Sequence, residues 1–141
     1  MKILILCTGN TCRSQMAEGI LKGLDPKLKV YSAGTEPGEK VHPMAIAVMK
    51  EAGIDLSNGY PKPVEIFINT PFDYVITVCD GARESCPVFA GEVKHRLHIG
   101  FDDPAETTGT EAEISAVFIR VRDEIKRDFT KFYQKNILKT Y

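Results

Sequence analysis

The chain begins with a short strand, a polar loop and a helix in immediate succession. Residues Lys2–Leu6 form a mostly apolar, partly β-branched run, which is typical of a buried strand. A polar turn that contains glycine follows, and a helical pattern begins near Ser14. A loop that ends at a helix N-terminus directs unpaired backbone N–H groups and the positive end of the helix dipole towards one point. The order of these elements therefore predicts an oxyanion-binding site after the first strand.

The loop carries a nucleophile at one end and a cation at the other. Cys7 opens it and Arg13 closes it. Because the field that holds an oxyanion also favours a thiolate, we expect the pKa of Cys7 to fall to roughly 3.5–7.5. The Arg13 guanidinium can bind two oxygens of the anion while the sulfur attacks its centre. The expected oxyanion-binding residues are the whole loop, namely Thr8, Gly9, Asn10, Thr11, Cys12, Arg13 and Ser14.

Three residues of the loop have more specific expected roles. Gly9 and Asn10 are the residue types that best tolerate a positive φ, which a loop with inward-pointing amides requires. Ser14 could donate a hydrogen bond to the thiolate. The alternative is that Cys7 is an unreactive buried thiol that packs as a small hydrophobic residue.

Strands and helices alternate along the rest of the chain. The predicted strands are Lys2–Leu6, Leu28–Ser32, Phe72–Val78 and His95–Ile99. Predicted helices follow the loop, start at His42–Pro43, lie around Val64–Ile68 and extend from Thr110 onward, with His42 as a helix cap. This alternation predicts an α/β fold, a three-layer doubly wound sheet of four parallel strands in the order 2-1-3-4. The 141 residues are expected to form one catalytic domain, residues 1–141.

A second pair of cysteines, Cys79 and Cys86, follows the third predicted strand. In the order 2-1-3-4 the first and third strands are neighbours, so Cys7 and Cys79 should meet at one edge of the sheet. Their Cα separation could then fall within the roughly 4.4–6.8 Å that a disulfide tolerates. The residues between Cys79 and Cys86 suit a mobile loop or a short, easily unwound helix, as a thiol relay requires. The alternative is two unrelated cysteines in a flexible loop.

Composition narrows the possible functions. A net charge of −1 gives no reason to expect binding to nucleic acid or to a membrane surface. The apolar run at the N-terminus is too short for an export signal, so we expect a cytoplasmic protein with reactive thiols and no structural disulfides. The spacings of the four cysteines and the positions of the three histidines do not match a zinc site, and no metal is expected.

The pattern Cys7-x5-Arg13-Ser14 directly after the first strand resembles the phosphate loop of low-molecular-weight tyrosine phosphatases and of the related thioredoxin-coupled arsenate reductases. The motifs Cys79-x6-Cys86-Pro and Gly100-Phe-Asp-Asp-Pro104 make the chain similar to the reductases in particular. Gln15 stands where the phosphatases usually carry proline, and the tyrosines that follow their Asp-Pro pair are missing.

The resemblance implies a sequence of reactions. Cys7 attacks arsenate, and Asp103 protonates the leaving oxygen. Cys79 then attacks Cys7 and expels arsenite, after which Cys86 forms a disulfide with Cys79 that thioredoxin reduces. Asp103 is preferred over Asp102 because it directly precedes Pro104, although chemistry alone leaves both open. Cys12 is expected to pack and not to react.

Some members of this family bind potassium beside the loop, through positions that match Asn10, Glu18 and Ser32 together with an aspartate. Lys62 stands at the position of that aspartate in this chain. Its ammonium group could replace the ion by balancing the charge of Glu18. We therefore expect no requirement for potassium and no tightly bound cofactor. The alternative is that Lys62 is simply solvated.

Two other functions remain open. In a tyrosine phosphatase, water and not Cys79 would discharge the Cys7 intermediate. A non-enzymatic redox or anion-sensing module would bind through the same loop without turnover. Because arsenate and phosphate are close in shape and charge, weak phosphatase activity is expected of either enzyme. The protein is expected to be a monomer.

Overall fold

The structure is a computed structural model that describes residues 1–139 of the chain. Its four strands form one parallel sheet in the order β2-β1-β3-β4. The strands are β1 (Lys2–Cys7), β2 (Lys29–Gly34), β3 (Phe72–Thr77) and β4 (Val93–His98). The predicted fold class and strand order are therefore confirmed. The expected single domain over residues 1–141 includes Thr140 and Tyr141, which lie outside the described residues.

Helices flank the sheet. They are α1 (Arg13–Leu24), α2 (Pro43–Glu51), α3 (Asp80–Ser85) and α4 (Glu111–Phe132). Short 3₁₀ helices lie at Val64–Phe67 and Pro104–Glu106, and a π-helical turn, Tyr133–Ile137, follows α4. None of the helices in the described residues is both long and apolar enough to cross a membrane.

Side-chain caps explain where two of these helices begin. The Nδ1 atom of His42 accepts a hydrogen bond from the backbone N–H of Met44 at 3.1 Å, and Pro43 occupies the first helical position. The predicted cap at His42 is therefore confirmed. Helix α4 begins with a capping box, in which Thr110 and Glu113 each accept a hydrogen bond from the backbone N–H of the other.

The core is formed by the strands of the sheet and by the buried faces of helices α1, α2 and α4. The four residues from Ile3 to Leu6 are completely buried. The buried face of α4 is formed by Phe118, Val121, Ile125, Phe129 and Phe132, as the helical periodicity predicts. Strand β4 begins two residues before its predicted start at His95, because its central residues are exposed and give only a weak apolar pattern.

The strand register brings the ends of three strands to one edge of the sheet. Cys7 pairs with Gly34 of β2, and Leu6 pairs with Thr77 of β3. A Cβ atom at position 34 would lie 2.5 Å from the carbonyl oxygen of Thr8, so glycine is needed for the close approach of the loop to β2. The loop after Cys7 therefore packs against the end of β2 without a side chain between them.

We expect the substitution Gly34→Ala to destabilise the protein by about 1–3 kcal/mol, because the loop backbone must shift to admit the methyl group. Gly23→Ala is the matched control, since a Cβ atom at position 23 of α1 has no heavy atom of the described residues within 4 Å. Higher helix propensity should make this control up to about 1 kcal/mol more stable. Urea denaturation measures the free energy of unfolding of both variants, and equal values for the two would contradict the expectation.

Candidate active site

The carbonyl groups of the loop after β1 are turned away from its centre. The carbonyl oxygens of Cys7, Thr8, Gly9 and Thr11 accept hydrogen bonds from the backbone N–H groups of Thr35, Glu36, Gly38 and His42, respectively, at 2.9–3.2 Å. In a trans peptide the C=O and N–H groups point in opposite directions. The loop N–H groups therefore point towards the side opposite the 35–42 segment.

Helix α1 adds further N–H groups to the same place. Its N-cap residue, Cys12, makes no side-chain capping hydrogen bond within the described residues, whereas α2 and α4 are capped by His42 and Thr110. The first-turn N–H groups of α1 are thus left for a ligand, and the helix dipole favours an anion there. This arrangement matches the predicted oxyanion loop from Thr8 to Ser14, although the binding of an anion stays a prediction.

Asn10 provides the sharp turn of the loop. Its φ is +56°, and its side chain is completely buried. The prediction of a positive φ is thus confirmed at Asn10 but is wrong at Gly9, which does not belong to the positive-φ residues of the described chain. One left-handed residue is sufficient here because the hydrogen bonds from the 35–42 segment orient the other peptides.

A chain of hydrogen bonds ends at the sulfur of Cys7. The Nδ2 group of Asn10 donates to Ser14 Oγ at 2.7 Å, and Ser14 Oγ lies 2.8 Å from Cys7 Sγ. Since the serine oxygen already accepts from Asn10, its hydrogen is free to donate to the sulfur. The backbone N–H of Asn10 also donates to Cys7 Sγ, at 3.0 Å. The predicted contact between Ser14 and Cys7 is confirmed.

The predicted low pKa of Cys7 is wrong for this structure. Burial raises the pKa of the Cys7 thiol above its usual value, because only 3% of the residue is exposed. The hydrogen bonds from Ser14 and Asn10 lower the pKa but do not compensate for burial, and nearby Cys79 raises it slightly further. Cys7 therefore holds its proton at neutral pH.

Arg13 and Asp103 face each other at the entrance of the loop. Arg13 Nη1 donates to the carbonyl oxygen of Phe101 at 3.0 Å, and Nη2 lies 3.5 Å from Asp103 Oδ2. The neighbouring Asp102 instead pairs with Arg120 at the surface, at 3.4 Å. Of the two candidate acids, Asp103 is therefore the one in contact with Arg13. Its role as general acid stays a prediction.

A cleft of about 630 Å³ opens above the loop. Its lining includes Thr8, Arg13, Cys79, Phe101 and Asp103. The lining also contains Arg120 and four further carboxylates, so the cations that face an anion here are Arg13 and Arg120. Phe101 is the only aromatic residue among the lining residues of this cleft.

Cys79 lies directly over the loop, as predicted. Its Sγ atom is 3.3 Å from Thr8 Oγ1 and accepts a hydrogen bond from the backbone N–H of Ala82 at 3.4 Å, which caps α3. A Cβ atom at position 81 would lie 2.7 Å from Thr8 Oγ1, so Gly81 permits the close approach of α3. The contact between Thr8 and Cys79 is a feature that sequence analysis missed.

Cys86 lies at the opposite end of α3 from Cys79. It is half-buried, and burial raises the pKa of its thiol while Arg96 lowers it. At 1.5 Å per helical residue, the two cysteines are separated by about 10 Å along α3. A disulfide between Cys79 and Cys86 therefore requires α3 to unwind. All four cysteines are free thiols, and burial raises the pKa of Cys12 to about 12, which agrees with its expected packing role.

No salt bridge joins Lys62 to Glu18 within the described residues, although the charge of Glu18 acts to raise the pKa of Lys62. That Lys62 balances this charge in place of a metal ion stays a prediction. Glu18 pairs with Lys22, one helical turn along α1, at 2.7 Å and accepts a hydrogen bond from Ser32 at 2.6 Å. Lys62 Nζ donates to the carbonyl oxygen of Tyr60, and partial burial lowers its pKa. Glu18 and Lys22 are four residues apart on one helix, so the spacing itself could have predicted this pair.

No three His, Cys, Asp or Glu side chains converge as metal ligands within residues 1–139.

The family model of low molecular weight phosphotyrosine protein phosphatases matches residues 2–140 of the chain. The chain belongs to this family.

Relatives of the chain within this family include proteins named as arsenate reductases and as phosphatases. An arsenate reductase of Bacillus subtilis (strain 168) is 49% identical over 131 residues, which cover 92% of this chain and 93% of the relative. A solved arsenate reductase in its phosphate-binding state is 34% identical, with a TM-score of 0.76 and coverage of 95% and 97%. The low molecular weight protein tyrosine phosphatase from T. tengcongensis is 27% identical, with a TM-score of 0.78 and coverage of 96% and 99%.

Gln15 is the second residue near the loop whose role was missed by sequence analysis. The residue distinguishes the chain from the family's phosphatases, which usually carry proline here. In the structure, Gln15 Nε2 donates to the backbone and side-chain oxygens of Asn10, both at 3.2 Å, and to the carbonyl oxygen of Tyr60 at 3.1 Å. The backbone N–H of Lys62 also donates to Asn10 Oδ1 at 2.9 Å. Gln15 therefore joins the loop to the segment before β3.

We expect Ser14→Ala to shift the alkylation of Cys7 to higher pH. Since the hydroxyl stabilises the thiolate, its loss raises the pKa of Cys7 further, and less thiolate is present at any pH below that pKa. The expected shift is about one pH unit. The measurement is the rate of reaction with iodoacetamide against pH, in a protein in which Cys7 is the only remaining cysteine. Ser115→Ala on α4 is the control, and an unchanged profile for Ser14→Ala would refute the role of the hydrogen bond.

Proposed function

We propose that this protein is an arsenate reductase that uses Cys7, Cys79 and Cys86 in succession and is regenerated by thioredoxin. The observation that carries the proposal is the position of Cys79 Sγ, 3.3 Å from Thr8 Oγ1 of the loop. A hydrolase needs no second thiol over its phosphate loop, whereas a reductase needs one to take up the oxidation. The similarity to proteins named arsenate reductases supports the same function.

The first step is the attack of Cys7 on arsenic. The loop N–H groups and the Arg13 guanidinium hold the arsenate oxygens, so the anion itself supplies the field that favours thiolate formation. An S–As bond forms, and one oxygen leaves as water after protonation by Asp103. Because Asp103 contacts Arg13, which binds the anion, the acid is close to the leaving oxygen.

In the second step arsenic is reduced. The Cys79 sulfur attacks the Cys7 sulfur, and an S–S bond forms while the S–As bond breaks. The electron pair of that bond passes to arsenic, which changes from As(V) to As(III) and leaves as arsenite. Cys79 gives up its proton as it attacks, and the product is a Cys7–Cys79 disulfide.

In the third step Cys86 attacks Cys79 and releases Cys7 as a thiol. This exchange requires the unwinding of α3, because the helix separates the two cysteines. The half-buried position of Cys86, compared with the buried Cys79, makes the new disulfide more accessible to a reductant such as thioredoxin. We further propose that the protein works as a cytoplasmic monomer with no tightly bound cofactor and has weak phosphatase activity.

We expect Cys86→Ser to convert arsenate in at most about one turnover, because the Cys7–Cys79 disulfide cannot be resolved. The assay contains arsenate, thioredoxin, thioredoxin reductase and NADPH, and mass spectrometry identifies the trapped disulfide. Cys12→Ser is the matched control and should turn over repeatedly. Sustained cycling by Cys86→Ser would refute the relay, and hydrolysis of aryl phosphate without any arsenate-dependent disulfide would indicate a phosphatase.

We propose that activity is independent of potassium. The charge of Glu18 is already balanced by Lys22 and by the more distant ammonium group of Lys62, so a bound cation would gain little. Exchange of sodium for potassium should change the rate by less than about two-fold. In Lys62→Asp, which restores the aspartate of the potassium-binding members, potassium should accelerate the reaction. A several-fold gain for the unaltered protein would contradict this.

A further inference from the structure

His98, the last residue of β4, connects the sheet to the first turn of α3. Its Nδ1 atom lies 2.8 Å from Thr77 Oγ1 at the end of β3, and its Nε2 atom lies 3.3 Å from Asp80 Oδ1. Asp80 is the first residue of α3 and directly follows Cys79. The imidazole ring therefore links the end of the sheet to the residue next to the second thiol of the relay.

The surroundings of His98 fix the orientation of its ring. The buried Thr77 hydroxyl lies 2.8 Å from Nδ1 and also donates to the carbonyl oxygen of Leu97, at 3.5 Å. The ring donates to the Asp80 carboxylate whenever Nε2 carries a hydrogen, that is, as the Nε2–H tautomer or as the imidazolium. A Cβ atom at position 100 would lie 2.9 Å from His98 Nε2, so Gly100 leaves the space that the ring occupies.

Besides His98, the first turn of α3 is held by the buried side chain of Ala82 and by the ion pair between Asp80 and Arg83 at 3.6 Å. Helix α3 has six residues, and a helix of this length is not stable alone in water. Cys79 Sγ is held over the loop by two long hydrogen bonds, 3.3 Å to Thr8 and 3.4 Å to the N–H of Ala82. The contact between His98 and Asp80 adds a connection at the end of α3 where Cys79 lies.

We propose that His98 is a positioning residue for Cys79: through Asp80, it keeps the first turn of α3 folded while the Cys79 sulfur attacks Cys7. This inference rests on the proposed function, since it concerns the second step of the relay. The contact also opposes the unwinding of α3, so it delays the formation of the Cys79–Cys86 disulfide until the first disulfide has formed. His98 touches neither arsenate nor a reacting sulfur.

The first experiment measures the second step alone. In the Cys86→Ser background, one equivalent of arsenate is added, and the Cys7–Cys79 disulfide is followed by acid quench and mass spectrometry. His98→Leu should form it about five-fold more slowly, because one hydrogen bond that holds α3 is lost. His98→Gln, which keeps a donor near the Nε2 position, should stay within about two-fold of the parent.

His95→Leu is the matched control on the same strand. His95 stacks on Tyr74, with ring centroids 4.9 Å apart, and has no described contact with α3. In the His95→Leu variant, the Cys7–Cys79 disulfide should form at the parent rate.

Asp80→Ala should slow the step at least as much as His98→Leu does, because it also removes the ion pair between Asp80 and Arg83 at 3.6 Å. The double variant should be no slower than Asp80→Ala, since that variant already lacks the His98 contact.

The second experiment does not depend on arsenate. In a Cys7→Ser/Cys12→Ser protein, diamide oxidises Cys79 and Cys86 to a disulfide and is itself reduced to the hydrazine. His98→Leu should make this oxidation about five-fold faster, because α3 unwinds more readily. A mere loss of overall stability would not slow one disulfide and accelerate the other. If the unaltered protein forms no disulfide with arsenate, the proposed function fails, while the diamide rates still test His98.

Several results would overturn the inference. One is that His98→Leu forms the diamide-induced disulfide at the parent rate. Another is that His98→Gln and His98→Leu form the Cys7–Cys79 disulfide at equal rates. A third is that the His98 and Asp80 substitutions slow this disulfide additively.

If His98→Leu does not fold, the test uses other variants. His98→Gln keeps the hydrogen-bond donor and Asp80→Asn keeps the acceptor, so both must react at the parent rates. Asp80→Ala must not. Equal rates for Asp80→Asn and Asp80→Ala would then reject the proposal.

Discussion

The hydrogen bonds between the loop after β1 and the 35–42 segment are the constraint on which the site depends. They occupy the loop carbonyl groups and so turn the N–H groups towards the centre of the loop. This arrangement is possible because β1 and β2 are parallel neighbours and because Gly34 admits the loop backbone at close range. The sheet therefore orients the loop N–H groups as the predicted anion site requires.

Burial and hydrogen bonding act in opposite directions on Cys7. Burial raises its pKa, whereas Ser14 and Asn10 lower it, and burial has the larger effect. Under the proposed function, Cys7 therefore stays protonated until an oxyanion binds beside Arg13. Such a thiol reacts less readily with unrelated oxidants than a permanently ionised one, because the thiolate is the reactive form. Activation is then coupled to substrate binding.

Helix α3 has two opposing requirements. In the proposed relay, the folded helix places Cys79 over the loop and keeps Cys86 about 10 Å away along its axis, which separates the two exchange steps in time. It must then unwind for the second exchange. A six-residue helix held by long hydrogen bonds and by the His98–Asp80 contact suits both requirements, since few interactions are lost when it opens.

The sequence by itself determined the strand order, the loop between β1 and α1, and the meeting of Cys7 with Cys79, because parallel strands always bring their carboxyl ends to one edge. Even the contact of Ser14 with Cys7 followed from local spacing. The tertiary structure alone decided the pKa of Cys7, the choice of Arg13 between Asp102 and Asp103, and the contacts of Gln15 and His98. These depend on burial and on side chains that are distant in sequence, and no local pattern encodes either of them.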